Sequence, residues 1–267
     1  MLKQDLDNKV IWITGASSGL GKALAEECAA RGAQVILTAR RINELEKIRV
    51  TLAHPEQHIC ISADISDESQ VRHAYEQVLL TKGKIDWLIN NAGLSQRALI
   101  AETHMQTERA IMEVDYFSQV FLTKTVLPTF LKQKSGRIAF VSSVAGLLGT
   151  QYRASYSAAK AAIHMWANSL RAEVADQGVG VSVIFPGFVK TNVSFNALNG
   201  EGKPQGHQDE AIENGLSPEA FAKTVVNALL KDQEYIVVGG AKEKLGVLVS
   251  RLSPPTLYKM IRKMKVK

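Results

Sequence analysis

Short apolar runs alternate with amphipathic stretches along the whole chain. Residues 9–14 (KVIWIT) form an apolar run that stops at a glycine turn. Residues 20–31 then carry helical spacing, and Gly32 stands just past their end, where glycine commonly stops a helix. The same alternation continues downstream. It predicts strands over residues 34–38, 58–62, 85–89, 137–142, 179–185 and 235–238. It predicts helices over residues 43–52, with Asn43 as N-cap, and over 67–81, 108–134, 155–177 and 218–230. A bend in the long helix is expected near Pro128. Strands alternating with helices build βαβ units, so the pattern predicts a single α/β domain over residues 1–267. Its core is a doubly wound parallel sheet of about seven strands flanked by helices. Residues 192–217, rich in Asn, Gly, Gln and acids, are the one long loop, and loops of that length are usually functional.

Composition narrows the class. The chain has 267 residues, 46% hydrophobic and 22% charged, ordinary values for a globular protein. Cys28 and Cys60 each lie in apolar segments with no second Cys or His at ligand spacing, so buried thiols are expected and no metal site. The polar, acid-bearing start MLKQDLDNK does not read as a secretory signal, and no apolar run is long enough to span a bilayer. A cytoplasmic location is the expectation. The net charge is +6, but residues 242–267 alone carry +7, from eight Lys/Arg against Glu243. The body is close to neutral, which argues against a nucleic-acid-binding face.

Residues 14–21 read TGASSGLG between a strand and a helix, the context of a dinucleotide-binding turn. Gly15 allows the tight turn, Gly19 clears space for a pyrophosphate and Gly21 lets the helix pack closely. With Ser17, Ser18 and Leu20 they open a helix whose first amides and dipole favour phosphate. The glycine spacing alone is a weak signal. The second strand ends in LTARR, without the acid that binds an adenosine ribose in NAD-specific folds. Arg40, followed by Arg41, suits a 2′-phosphate, so NADP(H) is favoured over NAD(H). Asp64, beside Ile65, could accept from the adenine amine or simply cap a helix. Asn91, Ala92 and Gly93 could pass close under a ribose.

Tyr156 and Lys160 lie four apart in ASYSAAK, on one face of a helix. With TGASSGLG, Asp64, NNAG (Asn90–Gly93), VSSVAG (Val141–Gly146) and PG (Pro186–Gly187), they make the chain resemble the short-chain dehydrogenase/reductase family over roughly residues 8–190. It is most similar to an NADP(H)-dependent branch with steroid- and retinal-acting members.

The resemblance implies hydride exchange between nicotinamide and a carbonyl or alcohol, with Tyr156 as general acid/base. A free phenol titrates near pH ~10, and a nearby cation favours its ionised form. Lys160 would supply that cation and hold the nicotinamide ribose. Ser143, thirteen residues before Tyr156, would donate to the substrate oxygen. Ser142 would be its structural neighbour, and Pro186, Gly187, Val189 and Thr191 would bracket the nicotinamide amide. Where the family usually has Asn, in a pattern like MEVNYF, residues 112–117 read MEVDYF with Asp115. Either the local geometry survives with some loss of rate, or the added carboxylate near Lys160 alters proton relay or marks a weakened enzyme.

Three further features remain open from sequence. Phe195, Ala197, Leu198, Leu147 and Leu148 are candidate apolar walls, which favours a lipophilic small-molecule substrate. The role of Tyr152 is open, and His164 is expected to be a packed or solvated side chain. In the tail, Leu257, Met260, Ile261 and Met264 share helical spacing with basic residues between them. Such a helix would pack on the protein or a partner subunit, the favoured reading, or make peripheral contact with an anionic membrane. The resemblance also implies a homo-oligomer, dimer or tetramer, through the helices at 108–134 and 155–177, with Ala162, Leu170 and Val174 as contact candidates. Two rivals stand beside the reductase: a regulator that binds NADP(H) with weakened turnover, and an NAD-dependent alcohol dehydrogenase.

Overall fold

The computed structural model describes residues 5–263, so Met264, Lys265 and Lys267 of the tail lie outside the described residues. Seven strands form one parallel sheet in the order β3-β2-β1-β4-β5-β6-β7. They are β1 (Val10–Thr14), β2 (Gln34–Ala39), β3 (Ile59–Ser62), β4 (Trp87–Asn90), β5 (Gly136–Val141), β6 (Val179–Pro186) and β7 (Tyr235–Val238). β1 sits at the centre, with Ile13 opposite Leu37 on one side and Ile89 on the other. All five of its residues are buried because both faces of the sheet are covered, which is why the strand reads as an unbroken apolar run.

Its side chains alternate between two cores. Ile11 and Ile13 join Leu24, Cys28, Phe221 and Val225, from helices α1 (Gly19–Ala30) and α8 (Pro218–Leu230). Val10 and Trp12 join Val71, Val126, Phe130 and Ile163 on the opposite face. Those come from α3 (Glu68–Lys82), α5 (Ser118–Gln133) and α6 (Ala154–Glu173). The doubly wound α/β fold expected from the pattern is the fold observed. Its strand order reverses between β1 and β4, opening a crevice at the carboxyl ends of the strands.

Several boundaries differ from expectation. Helix α2 (Ile42–Arg49) starts with Arg41 at its N-cap, so Asn43 lies inside the helix and does not cap it. The long helix expected over residues 108–134 is three pieces: α4 (Met105–Met112), a π-helical turn (Glu113–Phe117) and α5. The irregularity lies at that turn, and α5 remains helical around Pro128. A π turn accommodates an extra residue and turns a side chain to a new bearing, here that of buried Asp115. The loop at 192–217 contains a short helix, α7 (Glu210–Glu213). Past β7 the chain forms α9 (Ala241–Leu252) and α10 (Pro254–Ile261). Helix α9 escaped the pattern because only Gly246 and Val247 are buried, while Leu245, Leu248 and Leu252 face outward. In α10, Leu257 is buried and Met260 exposed, so only part of the expected apolar stripe packs on the protein.

Candidate active site

The glycine turn closes the carboxyl end of β1. Gly15 and Gly19 have φ of +65° and +55°, values that side chains rarely tolerate. A Cβ on Gly15 would lie 2.8 Å from Ala92 Cα, and one on Gly21 only 2.4 Å from the Gly15 carbonyl oxygen. The Asn91–Ala92 backbone therefore packs directly under the turn. Thr14 stitches it there: its Oγ1 accepts from the amides of Asn91 at 3.0 Å and Ala92 at 3.1 Å. Asn91 Nδ2 donates back to the Thr14 carbonyl at 2.9 Å. Gly19 faces Thr191, which contributes the nearest side chain. Helix α1 opens with Ser18 as N-cap, without a side-chain cap and with no acid in its first turn. With Ser17 half-buried and Ser18 exposed, that end suits a phosphate in charge and accessibility. Leu20 packs partly into the core beneath.

At the end of β2, Arg40 is exposed. It is the next residue, Arg41, that reaches the turn, with Nη2 donating to Ser17 Oγ at 3.2 Å. Asp64 accepts from the Ser66 amide and hydroxyl at 3.0 and 2.6 Å and does not cap α3. Capping falls to Asp67, which accepts from the amides of Ser69 and Gln70. Ile65 beside Asp64 is buried.

The expected catalytic residues converge across the crevice. Ser142 and Ser143 follow β5, and Ser142 Oγ donates to the Lys160 carbonyl at 2.8 Å. Ser143 Oγ accepts from the Ala145 amide at 3.1 Å and lies 3.5 Å from the Pro186 carbonyl oxygen. Tyr156 and Lys160 project from α6, with Lys160 Nζ 5.8 Å from the Tyr156 ring centroid. Gly146 brings that helix against the Ser143 turn, since a Cβ there would sit 2.8 Å from the Lys160 carbonyl carbon. Lys160 Nζ donates to the Val141 carbonyl at 3.1 Å and lies 3.4 Å from Asp115 Oδ2. Asp115 Oδ1 accepts from the Leu94 amide at 2.6 Å. Burial raises the Asp115 carboxyl above the usual carboxylate range, opposed by Lys160 and the Leu94 amide. Gly93 covers the pair: a Cβ there would meet Asp115 Oδ1 and Lys160 Nζ, each at 3.0 Å.

The far wall comes from the end of β6. The Gly187 amide donates to the Val238 carbonyl at 2.8 Å, and the Phe188 amide to Glu243 Oε1 at 3.3 Å. Val189 is buried and bridges to Leu216. The loop at 192–217 is tied down: Leu198 pairs with Gln96 and Pro204, and buried Asp209 binds Arg97 and Arg153. Among the proposed apolar walls, Leu147 and Leu198 are half-buried. Ala197 and Leu148 are buried and Phe195 is exposed. His164 is a packed side chain, edge-on to Phe185 with ring centroids 4.9 Å apart. Leu170 and Val174 belong to the core, so they cannot form an oligomer contact; Ala162 is half-buried.

Sequence reasoning missed three positioning groups. Gln96 is fully buried, and its Oε1 accepts from the amides of Ser155 at 2.9 Å and Tyr156 at 3.4 Å, capping the helix that carries Tyr156. A lone Gln far from that helix gave no sequence signal. The Arg97–Asp209 pairing spans 112 residues and was equally invisible. Thr14 adjoins the glycine motif and could have been read from it. Tyr152, just before α6, holds a left-handed φ of +65°.

A Rossmann sheet with this turn and this crevice defines a dinucleotide-binding fold. A family model described as short chain dehydrogenase matches residues 9–201. The chain is 38% identical to the dehydrogenase/reductase SDR family protein 7-like of Drosophila melanogaster, covering 99% of this chain and 83% of that protein. It is 35% identical to the dehydrogenase/reductase SDR family member 7B of Xenopus tropicalis, covering 95% of this chain and 84% of that one. A solved short-chain dehydrogenase from Streptomyces avermitilis superposes with a TM-score of 0.82 at 31% identity, over 96% of this chain and 98% of that one. The chain belongs to the short-chain dehydrogenase/reductase family, whose oxidoreductases use a nicotinamide cofactor.

Proposed function

We propose that the protein is an NADP(H)-dependent oxidoreductase acting on a lipophilic carbonyl or secondary alcohol, with Tyr156 as general acid/base. The observation that carries this reading is the seating of the Tyr156–Lys160 face of α6 against the Ser143 turn, with Gly146 at the contact. A nicotinamide cofactor in the crevice would supply or accept hydride at the substrate carbon. In reduction, Tyr156 Oη gives its proton to the carbonyl oxygen and is left as phenolate; in oxidation it takes the alcohol proton. Ser143 Oγ donates a hydrogen bond to the same oxygen as charge develops there. Lys160 Nζ brings positive charge toward the phenolate and holds the ribose hydroxyls. The amides at the start of α1 would hold the pyrophosphate, and Pro186, Gly187, Val189 and Thr191 would bracket the nicotinamide amide. Arg40 and Arg41, with no acid at the end of β2, support NADP(H) over NAD(H).

The test is oxidation of NADPH and NADH against a panel of lipophilic aldehydes, ketones and quinones, in the native protein and Tyr156→Phe. Turnover with NADPH that Tyr156→Phe abolishes is expected. Tight NADPH binding without turnover across the panel would favour the regulatory rival, whose one support is Asp115. Preference for NADH would favour the NAD-dependent alcohol dehydrogenase.

Two associations belong to the same reading. Exposed Phe117, at the end of the π turn, and Met165 of α6 lie in the segments through which the resemblance implies pairing and support a homo-oligomer, tested by light scattering. Exposed Leu245, Leu248, Leu252, Tyr258 and Met260 alternate with basic residues in α9 and α10, which supports peripheral contact with anionic lipid. Liposome co-sedimentation of the full chain and of a variant lacking residues 255–267 tests that contact. Among the described residues no helix is long and apolar enough to cross a membrane. A cytoplasmic location is proposed with it, to be checked by fractionation.

A further inference from the structure

Asp115 is a buried charged group of the site that the catalytic steps do not use. It is fully buried at the π turn, and among the described residues its Oδ2 has no hydrogen-bond partner. That oxygen lies 3.4 Å from Lys160 Nζ, whose side chain is itself only 4% exposed. When Asp115 is ionised, its carboxylate beside the buried ammonium makes a pair with little net charge. Coulomb interactions at a water-poor site reach across several ångströms, so a phenolate on Tyr156 feels both members.

We propose that the Asp115 carboxylate offsets the charge of Lys160, withholding positive potential from the Tyr156 phenolate and moving the pH profile of catalysis upward. The proposal rests on Tyr156 being the acid/base. Asp115 touches neither substrate nor cofactor in it and is a positioning and tuning residue. An asparagine at the same place can still accept from the Leu94 amide through its side-chain oxygen, and it leaves the lysine charge uncompensated. The other charged groups near the pair fit this account. Around Asp115, Lys160 is the charged group that acts on the carboxyl. On the Tyr156 side, Arg153 carries positive charge close enough to interact with the phenol, partly committed to Asp209 at 3.3 Å. Glu108 of α4 is engaged by Ser155 Oγ at 2.7 Å, one residue from Tyr156. Arg153 and Glu108 are engaged by partners other than Asp115, so neutralising residue 115 removes neither contact.

The same proton moves in both directions, so the acid limb of alcohol oxidation and the alkaline limb of carbonyl reduction must shift together. Removing one like charge at this range is expected to move each down by about one pH unit. Asp115→Asn should keep turnover at its pH optimum within a modest factor, or raise it.

The experiment measures kcat against pH in both directions for the native enzyme, Asp115→Asn and Asp115→Ser. In parallel, tyrosinate absorbance is followed against pH in the cofactor-free proteins, with Tyr156→Phe subtracted to isolate Tyr156. Both neutral variants should lower both limbs, and the Tyr156-dependent tyrosinate signal should rise at lower pH than in the native protein. Unshifted limbs or an unshifted signal in folded Asp115→Asn or Asp115→Ser, with Tyr156→Phe inactive, would overturn this inference alone. Turnover surviving in Tyr156→Phe would overturn the proposed function and the inference with it. A collapse of turnover at every pH in both neutral variants, with the fold intact by circular dichroism, would also overturn it, by making the carboxylate essential in its own right.

Discussion

Arg97 and Asp209, 112 residues apart, meet in a buried pair: both Nε and Nη2 of the guanidinium lie 2.7 Å from Asp209 Oδ2. Arg153, which directly precedes the catalytic helix, approaches the same oxygen at 3.3 Å. Burial and the like charge of Arg97 push the Arg153 guanidinium down to about 10. One carboxylate in the loop at 192–217 thus compensates two buried cations, one after β4 and one at the foot of α6. This pairing holds the loop against the two segments that frame the crevice.

Removing that carboxylate leaves two guanidiniums buried with incomplete compensation. Breaking a buried pair from one side costs about 3 kcal/mol or more. For a domain of this size that corresponds to roughly 6–10 °C in Tm. Asp209→Asn is therefore expected to lower Tm by that amount, and limited proteolysis should cut first within residues 192–217. Native-like Tm and an uncut loop would show that the pair does not fasten it.

The fold was legible in sequence because the sheet is parallel and covered on both faces. A strand such as β1 then presents an unbroken apolar run, and helices such as α3, between Asp67 and Gly83, and α8, opening on Ser217 and Pro218, carry readable punctuation. The turn, Ser143, Tyr156 and Lys160 were legible because local spacing places them. What was not legible depends on distant partners. Gln96 caps α6 from a loop after β4, 59 residues before Ser155, and Asp209 finds Arg97 only once the loop has folded back. The π turn was hidden because residues 105–133 keep helical composition throughout; only the buried contacts of Asp115 distinguish its centre. Leu170 and Val174 show the reverse ambiguity, since an apolar stripe looks the same whether it faces a partner or the core.

Gly146 sets the contact between the Ser143 turn and α6. A Cβ there would meet Lys160 backbone and Cβ atoms at 2.8–2.9 Å, and a helix backbone cannot yield as a side-chain tip can. Gly146→Ala should cost about 1–3 kcal/mol through overpacking and push Lys160 away from Ser143. Turnover is expected to fall at least ~10-fold, with the loss mainly in kcat. Kinetics alongside thermal unfolding separate misplacement from instability; unchanged kcat would refute the contact's role.

Arg40 and Arg41 make separable predictions about the cofactor. Losing a charge-assisted hydrogen bond costs about 1.5–3 kcal/mol, roughly 10- to 100-fold in affinity. Arg40→Ala and Arg41→Ala should each weaken NADPH binding while leaving NADH binding nearly unchanged. Arg41 is expected to matter more, because its guanidinium already rests on Ser17 of the turn at 3.2 Å. Titration calorimetry with both cofactors decides this. Equal losses for NADPH and NADH would mean that the arginines do not read the 2′-phosphate.

His58 gives the protein an acid-sensitive joint at the edge of the sheet. Its Nδ1 accepts from the Val35 amide of β2 at 3.0 Å, and Nε2 lies 2.7 Å from the Ala53 carbonyl oxygen. That arrangement requires the neutral ring protonated on Nε2. Burial, reinforced by Lys82 and Arg49 and partly opposed by the Ala53 carbonyl, lowers its titration below the ordinary imidazole value. Because the folded-state value is the lower one, the unfolded chain takes up the proton first as pH falls. Stability from the neutral ring is then present above about pH 6.5 and is lost progressively below it. Tm should decline between about pH 7 and about pH 5, and His58→Gln, which can still accept from the Val35 amide, should flatten that slope. Parallel Tm–pH curves for the two proteins would place the acid sensitivity elsewhere, with half-buried His164 the next imidazole to examine.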